Sequence, residues 1–149
     1  MGYQLVTFVF AVCFSLTTAG TAQSVANGYW QGTITQEEGG YRSDYGMKLF
    51  LQIDEDGKVS GHSIVEVDEI YAKMEVRGQL TGDFYLYLYE PHILKERTDP
   101  GMEWCLKKLN LIYKKEAGRE WLTGSWRGRT TFSNCIPGDV RLERYIPRA

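Results

Sequence analysis

The sequence is poor in the patterns that usually identify an enzyme or a nucleic-acid-binding protein. Its 149 residues include only two histidines and three cysteines, and its formal net charge is −2. No serine or cysteine lies in a recognisable nucleophile elbow, and no histidine stands at zinc-ligand spacing from a cysteine. No block of lysine or arginine marks a phosphate-binding surface, which argues against sequence-independent nucleic-acid binding. From residue 28 onward no segment has a helical period, which argues against an α-helical domain.

The chain does contain enough apolar material for one folded domain. Hydrophobic residues make up 43% of the sequence and aromatic residues 13%, and these values argue against disorder. A chain of this length fits a single domain with one hydrophobic core.

An apolar segment near the beginning of the sequence is typical of an export signal. Residues 5–16 (LVTFVFAVCFSL) carry no charge, and they are too few for a bilayer core, which needs roughly 20 residues. Small residues follow as far as Ala22. We therefore predict a signal peptide over 1–22 and a single domain over 23–149, exported to the periplasm or the medium of a bacterium, with no transmembrane span. The first four residues lack lysine and arginine, and the alternative is a buried N-terminal strand or helix.

Two cysteines, Cys105 and Cys135, remain when the leader and its Cys13 are removed. An even pair in an oxidising compartment predicts one disulfide. The 30-residue separation closes a loop for which chain entropy gives about 3.7 kcal/mol of stabilisation. The alternative is two free thiols.

Apolar and polar residues alternate in short runs between residues 28 and 145, with glycine-rich and acidic turns between the runs. This pattern is typical of antiparallel β-strands. We predict eight strands, at residues 28–36, 47–53, 58–67, 71–80, 83–90, 104–115, 121–127 and 140–145. The alternation loses phase at Lys107-Lys108, which suggests a β-bulge.

Eight short strands in succession favour an all-β, antiparallel up-and-down barrel, because closure removes the exposed sheet edges. The alternative is an open sheet or a double sheet. Links 54–57, 81–82 and 116–120 are tight, links 37–44, 91–103 and 128–137 are long, and the short link 68–70 is the exception. In a meander the tight links share one end, and the remaining links share the other. Cys105 and Cys135 both fall at the long-loop end, within disulfide reach of each other.

Several motifs resemble those of calycin-type barrels such as lipocalins and avidins. Trp30-Gln31-Gly32 opens the first strand as a Trp-x-Gly does in those families, and residues 57–61 and 122–126 are similar to their later hairpins. The chain is also similar to a group of small, secreted, uncharacterised bacterial proteins, through Trp30-x-Gly32, Tyr71-Ala72-Lys73-Met74, Arg77-Gly78, Trp104-Cys105, Gly124-x-Trp126 and Cys135-x-Pro137-Gly138. The resemblance implies a barrel that can hold a ligand cavity, and no known reaction. The chain lacks the C-terminal helix of lipocalins and the biotin-binding pattern of avidins, so no ligand residues are transferred.

Aromatic residues are numerous for a domain of this size, and their rings stack on flat apolar or sugar surfaces. The candidates for ligand binding are Trp30, Tyr85, Tyr87, Trp104 and Trp126. The alternative is that these rings fill the core or pair across strands.

Two further patterns leave alternatives open. In the predicted strand 83–90, tyrosines at positions 85, 87 and 89 alternate with Phe84, Leu86 and Leu88, so one of the two faces must lie outside or line a wet cavity. Glycines within other strands, such as Gly32 and Gly124, indicate either barrel curvature or space for a ligand.

Charged residues offer little chemistry. Glu90 and His92 could act as an acid–base pair, yet a Glu-x-His spacing is common by chance, and a solvated loop over 90–103 is the simpler interpretation. Such a long loop could also be a lid or a partner contact. Residues 54–57 (DEDG) are acidic like a calcium loop but lack the length and terminal glutamate of an EF-hand. We predict a turn there and no metal site.

These features lead to one expected function and one alternative. We predict an exported, non-enzymatic barrel that binds a small apolar or glycan ligand at the long-loop end, without a cofactor. The alternative is an envelope-associated module that binds another protein and has no ligand cavity. A small enzyme using Glu90 and His92 is the third and least favoured hypothesis.

Overall fold

A computed structural model describes residues 24–148, and the predicted signal peptide over 1–22 lies outside this range. The described part is all-β, and it contains no helix that is long and apolar enough to cross a membrane. Its strands are β1 (Gly28–Thr35), β2 (Asp44–Ile53), β3 (Lys58–Val67), β4 (Ile70–Thr81), β5 (Tyr85–Tyr89), β6 (Ile93–Arg97), β7 (Leu106–Glu116), β8 (Arg119–Arg129) and β9 (Gly138–Tyr145).

Eight of these strands close into a barrel. The hydrogen-bonded order is β1-β2-β3-β4-β5-β7-β8-β9, and β9 pairs with β1 to complete the ring. All of the pairings are antiparallel. The predicted eight-stranded up-and-down barrel is therefore confirmed, and the eight strands agree with the predicted ones to within a few residues.

Strict alternation fills the barrel with apolar side chains. On β2, Met47, Leu49 and Leu51 are buried, whereas Lys48 and Gln52 are exposed. The same period places the buried residues of the other strands inside, because successive side chains of a strand point to opposite faces of the sheet.

The half of the barrel nearest the tight turns is solidly packed around Trp30. This ring is 1% exposed, its indole N–H donates to the Ala26 carbonyl at 3.0 Å, and the Arg144 guanidinium lies 4.3 Å from its centroid. Tyr113 makes an edge contact with the same ring. These contacts hold Trp30 in the packed hydrophobic core.

The segment 90–103 differs from the predicted loop, because it contains β6. Strands β5 and β6 both pair with β4, β5 at residues 77–81 and β6 at residues 71–74. The Glu90 N–H still donates to the Lys107 carbonyl on β7 at 2.9 Å, but Pro91 follows and has no N–H to continue the ladder. Strand β6 has no pairing with β7, so the barrel wall opens between these two strands at the long-loop end.

The predicted β-bulge at Lys107-Lys108 is wrong. Strand β7 pairs with β8 from Leu106 to Glu116 without a shift of register. Uninterrupted alternation points Lys107 into the barrel with Leu109, and it points Lys108 into solvent.

The predicted disulfide is confirmed. Cys105, just before β7, is bonded to Cys135, which lies in the link before β9, with their Cα atoms 6.3 Å apart. The bond ties this link to the strand beside the opening in the barrel wall.

Candidate functional site

A cavity of about 130 Å³ occupies the long-loop end of the barrel. Its walls come from three sources: inward residues of the strands, the segment between β6 and β7, and the link between β1 and β2. The lining residues most relevant to binding are Ile34, Tyr45, Val65, Trp104, Lys107 and Trp126. A dry apolar cavity of about 150 Å³ is large enough to hold benzene, so this space suits one ring or a short chain.

Two tryptophans, Trp104 and Trp126, share the aromatic part of the wall with Tyr41 and Tyr45, and each indole is held by a hydrogen bond. The indole N–H of Trp126 on β8 donates to the Thr35 carbonyl at 2.7 Å. The indole N–H of Trp104 donates to the Thr98 hydroxyl at 3.1 Å, which fixes the segment that follows β6. Because both rings are anchored, their faces are positioned before any ligand arrives.

A buried ion pair lies beside the cavity. Lys107 lines the cavity, and its ammonium lies 2.8 Å from Glu90 Oε2. The Lys107 side chain is 4% exposed and the Glu90 side chain 0%. Glu90 also accepts the Ser63 hydroxyl at 2.6 Å and the Lys107 backbone N–H at 2.9 Å. With these donors the carboxylate is fully satisfied, which is what buried charges require.

The rim of the cavity carries a second polar group, formed by Tyr45 and Gln36, which is partly exposed. The Tyr45 hydroxyl donates to Gln36 Oε1 at 2.6 Å, and Gln36 Nε2 donates to the Ile136 carbonyl at 3.2 Å. Burial raises the pKa of the Tyr45 phenol, so it remains a neutral donor at neutral pH. These bonds join the link after β1 to the link before β9.

The disulfide and a glutamate also hold the rim. Cys105 itself lines the cavity. Glu103 accepts hydrogen bonds from the backbone N–H of Thr131, at 3.0 Å, and from its hydroxyl. The mouth of the cavity is therefore bordered by segments that are cross-linked to each other.

The five aromatic residues predicted to bind a ligand fall into three places. Trp104 and Trp126 meet in the cavity wall. Trp30 lies in the packed half of the barrel. Tyr85 and Tyr87 lie on the outer surface of β5, 50% and 54% exposed, because Leu86 and Leu88 occupy its inner face.

The structure does not bring Glu90 and His92 together. Glu90 points inward to Lys107, whereas His92 is exposed and its Nε2 lies 2.9 Å from Glu75 Oε2. Residues 54–57 form a turn in which the Asp54 carboxylate accepts the backbone N–H groups of Asp56 and Lys58, both at 2.9 Å. No cluster of three potential metal ligands occurs within residues 24–148.

The intra-strand glycines leave no space for a ligand. A Cβ on Gly32 would overlap the Arg141 carbonyl, and one on Gly124 would overlap the Asn110 carbonyl. The neighbouring strand therefore fills the space beside each glycine, as a tightly curved sheet requires.

Sequence reasoning missed Lys107, Ser63 and Tyr45 as site residues. Lys107 was detectable: it has the same parity as Leu109 and Leu111, and simple alternation places it inside the barrel. A lysine at an interior position predicts a buried partner, and Glu90 is that partner.

A larger hollow, of about 940 Å³, lies at the tight-turn end. It is bordered by exposed turn residues such as Asp54, Glu55 and Asp56. Acidic turn residues border this hollow, whereas small-molecule sites are lined predominantly by apolar and aromatic side chains, so the smaller cavity is the better candidate.

Comparisons of the chain with protein-family models, with curated proteins and with solved structures gave no match.

Proposed function

We propose that this protein is an exported, non-enzymatic barrel that binds a small apolar ligand at its long-loop end. The observation that carries the proposal is the cavity with Trp104, Trp126 and Val65 in its wall. Apolar concavities with a few fixed polar groups are the usual form of small-molecule sites. The Cys105–Cys135 disulfide supports export, because such bonds persist in oxidising compartments.

The shape of the barrel supports a calycin-type relationship. One end is packed around Trp30, and the other holds the cavity beneath long links. The Trp30-x-Gly32 opening of β1 is consistent with this relationship. The small cavity favours a compact apolar ligand over a glycan, because a sugar ring needs many polar partners and the wall is mostly apolar.

The non-enzymatic part of the proposal is supported by the state of the two candidate catalytic groups. The Glu90 carboxylate is occupied by three donors, and His92 lies on the outer surface beside Glu75. Neither group is positioned to exchange a proton with a molecule in the cavity.

Native mass spectrometry of the protein purified from its own host tests the proposal. We expect the wild-type protein to carry a small-molecule adduct. Val65→Phe, which places a larger side chain in the cavity, should lose the adduct. Tyr87→Ser, on the outer surface, is the matched control and should keep it. A wild-type protein without an adduct, and without a thermal shift from any member of an apolar compound library, would contradict the proposal.

An outer surface on β5 favours a second function, binding of an envelope protein. Tyr85, Tyr87 and Tyr89 are 44–54% exposed, and the neighbouring Ile112 on β7 is 37% exposed. Exposed tyrosines are common at protein interfaces. Cross-linking in intact cells tests this function: replacing the three tyrosines by serine should abolish a specific cross-linked species while leaving cavity binding unchanged.

A further inference from the structure

The Lys107 ammonium retains hydrogen-bonding capacity at the cavity. It carries three N–H donors, of which one reaches Glu90 Oε2 at 2.8 Å and one the Cys105 carbonyl at 3.3 Å. The side chain lines the cavity and is 4% exposed. A ligand atom that accepts the third hydrogen would therefore meet a desolvated, positively charged donor, and hydrogen bonds to charged groups are the stronger class.

The other polar groups of the wall that are buried or half-buried already form hydrogen bonds within the protein, whereas Tyr41 and Glu103, which also line the cavity, are exposed. Both indole N–H groups donate to protein oxygens. The Tyr45 hydroxyl is bonded to Gln36, whose amide donates to the Ile136 carbonyl. Gln36 keeps one N–H to spare, which is also a donor. Among these buried or half-buried lining groups, the spare capacity therefore favours a ligand that accepts hydrogen bonds.

The charge balance of the site also restricts the net charge of a ligand that accepts this hydrogen bond. Lys107 and Glu90 form an ion pair, and Glu90 also accepts hydrogen bonds from the Ser63 hydroxyl and from the Lys107 backbone N–H. A ligand carboxylate would bring a second negative charge to a site with one cation. A ligand ammonium would place a second positive charge beside Lys107. Either would bury an unbalanced charge, which is costly.

The size and the walls of the cavity define the rest of the ligand. The volume of about 130 Å³ suits one ring, since a cavity of about 150 Å³ accepts benzene. The wall residues beside Lys107 are mainly aromatic or aliphatic, including Ile34, Trp104 and Trp126.

We infer that the cavity selects an uncharged molecule the size of a single ring, with an apolar body and one acceptor oxygen, such as a ketone, ester or ether, that is hydrogen-bonded to Lys107 Nζ. This inference rests on the proposed binding function and specifies its ligand class. Lys107 is the specificity-determining residue, and Glu90 is the residue that keeps the site neutral and positions Lys107.

Four probes of similar size test the inference: acetophenone, ethylbenzene, benzoate and benzylamine. Binding to the ¹⁵N-labelled protein is followed through the indole N–H signals of Trp104 and Trp126. We expect acetophenone to bind about tenfold more tightly than each of the other three, as one charge-assisted hydrogen bond allows. Lys107→Met should abolish the preference for acetophenone over ethylbenzene, and Lys108→Met, on the outer face, should retain it.

The outcomes separate the two proposals. Ethylbenzene binding as tightly as acetophenone, or benzoate or benzylamine binding most tightly, overturns the ligand class and leaves the binding function standing. Failure of all four probes to shift either indole signal overturns the binding function together with the inference. If Lys107→Met does not fold, the ranking of the four probes on the wild-type protein decides the question alone.

Discussion

The ammonium of Lys107 lies 2.8 Å from the carboxylate of Glu90, inside a barrel whose other buried side chains are almost all apolar. Glu90 is the residue after β5, and Ser63 on β3 donates to the same carboxylate. The pair therefore connects β3, β5 and β7 at the point where the segment after Glu90 stops pairing with β7. Because desolvation opposes the attraction between buried charges, the pair is better explained by positioning and recognition than by stability.

Removing one member of this pair should be costly. Lys107→Met leaves the Glu90 carboxylate buried without its counter-ion, and we expect the free energy of unfolding to fall by about 3–5 kcal/mol. Denaturation by urea measures this change. The double variant Lys107→Met/Glu90→Gln should lose less than Lys107→Met alone, because no charge remains buried.

Lys108→Met is the matched control for that prediction. Lys108 is the next residue on β7 and faces solvent, so its replacement should change the free energy of unfolding by no more than about 0.5 kcal/mol. Equal losses in Lys107→Met and Lys108→Met would contradict the assignment of Lys107 to a desolvated pair.

Gly124 should not tolerate a methyl group. A Cβ at this position on β8 would overlap the Asn110 carbonyl on β7, so the two strands would have to separate. We expect Gly124→Ala to lower the free energy of unfolding by about 3 kcal/mol, the upper range for overpacking. Gly46→Ala is the control, because there the nearest atom is a flexible side-chain carbon of Glu66 at 3.3 Å. Similar stabilities of the two variants would show that the barrel can widen at β8.

Loss of the disulfide should destabilise the barrel and loosen the cavity mouth. The bond closes 30 residues between Cys105 and Cys135, for which chain entropy gives about 3.7 kcal/mol. The variant Cys105→Ser/Cys135→Ser should lose about this amount in urea denaturation. Reducing agent should destabilise the wild-type protein by a similar amount and leave the double variant unchanged. If the reducing agent also destabilised the double variant, its effect on the wild-type protein could not be assigned to the disulfide.

Most of the strands were predictable because they present one apolar and one polar face. On β2, Met47, Leu49 and Leu51 alternate with polar residues, and this alternation alone determines which side is buried. The same reasoning could not decide β5, where leucines alternate with tyrosines and both faces are apolar. In the structure Leu86 and Leu88 are buried and the tyrosines lie outside, where their polar hydroxyl groups remain in contact with water.

The missed features depend on contacts between residues that are distant in sequence. Strand β6 (ILKER) is mostly exposed on both faces, so it has no alternation, and it forms only through pairing with β4. The cavity is built where Trp104, from the segment after β6, meets Ile34 on β1. The residue pattern within one segment does not show which distant residues that segment will contact. The interior position of Lys107 was the exception, since the alternation of β7 alone specifies it.

Acidification should destabilise the protein through His62. Burial, and then the positive charge of Lys73, lower the pKa of His62 below its ordinary value of 6.5; its ring also packs against Phe50. In the unfolded chain His62 takes up a proton near pH 6.5, whereas in the folded protein it resists protonation to lower pH. The contribution of neutral His62 to the free energy of unfolding is therefore fully present above pH 6.5 and is lost as the pH falls through the lowered folded pKa.

An NMR titration should place the His62 midpoint below 6.5. Lys73→Met should raise this midpoint only part of the way, because burial is the larger cause of the lowered pKa. His62→Gln should remove this part of the pH dependence of unfolding, and a His62 midpoint above the ordinary value would contradict the prediction.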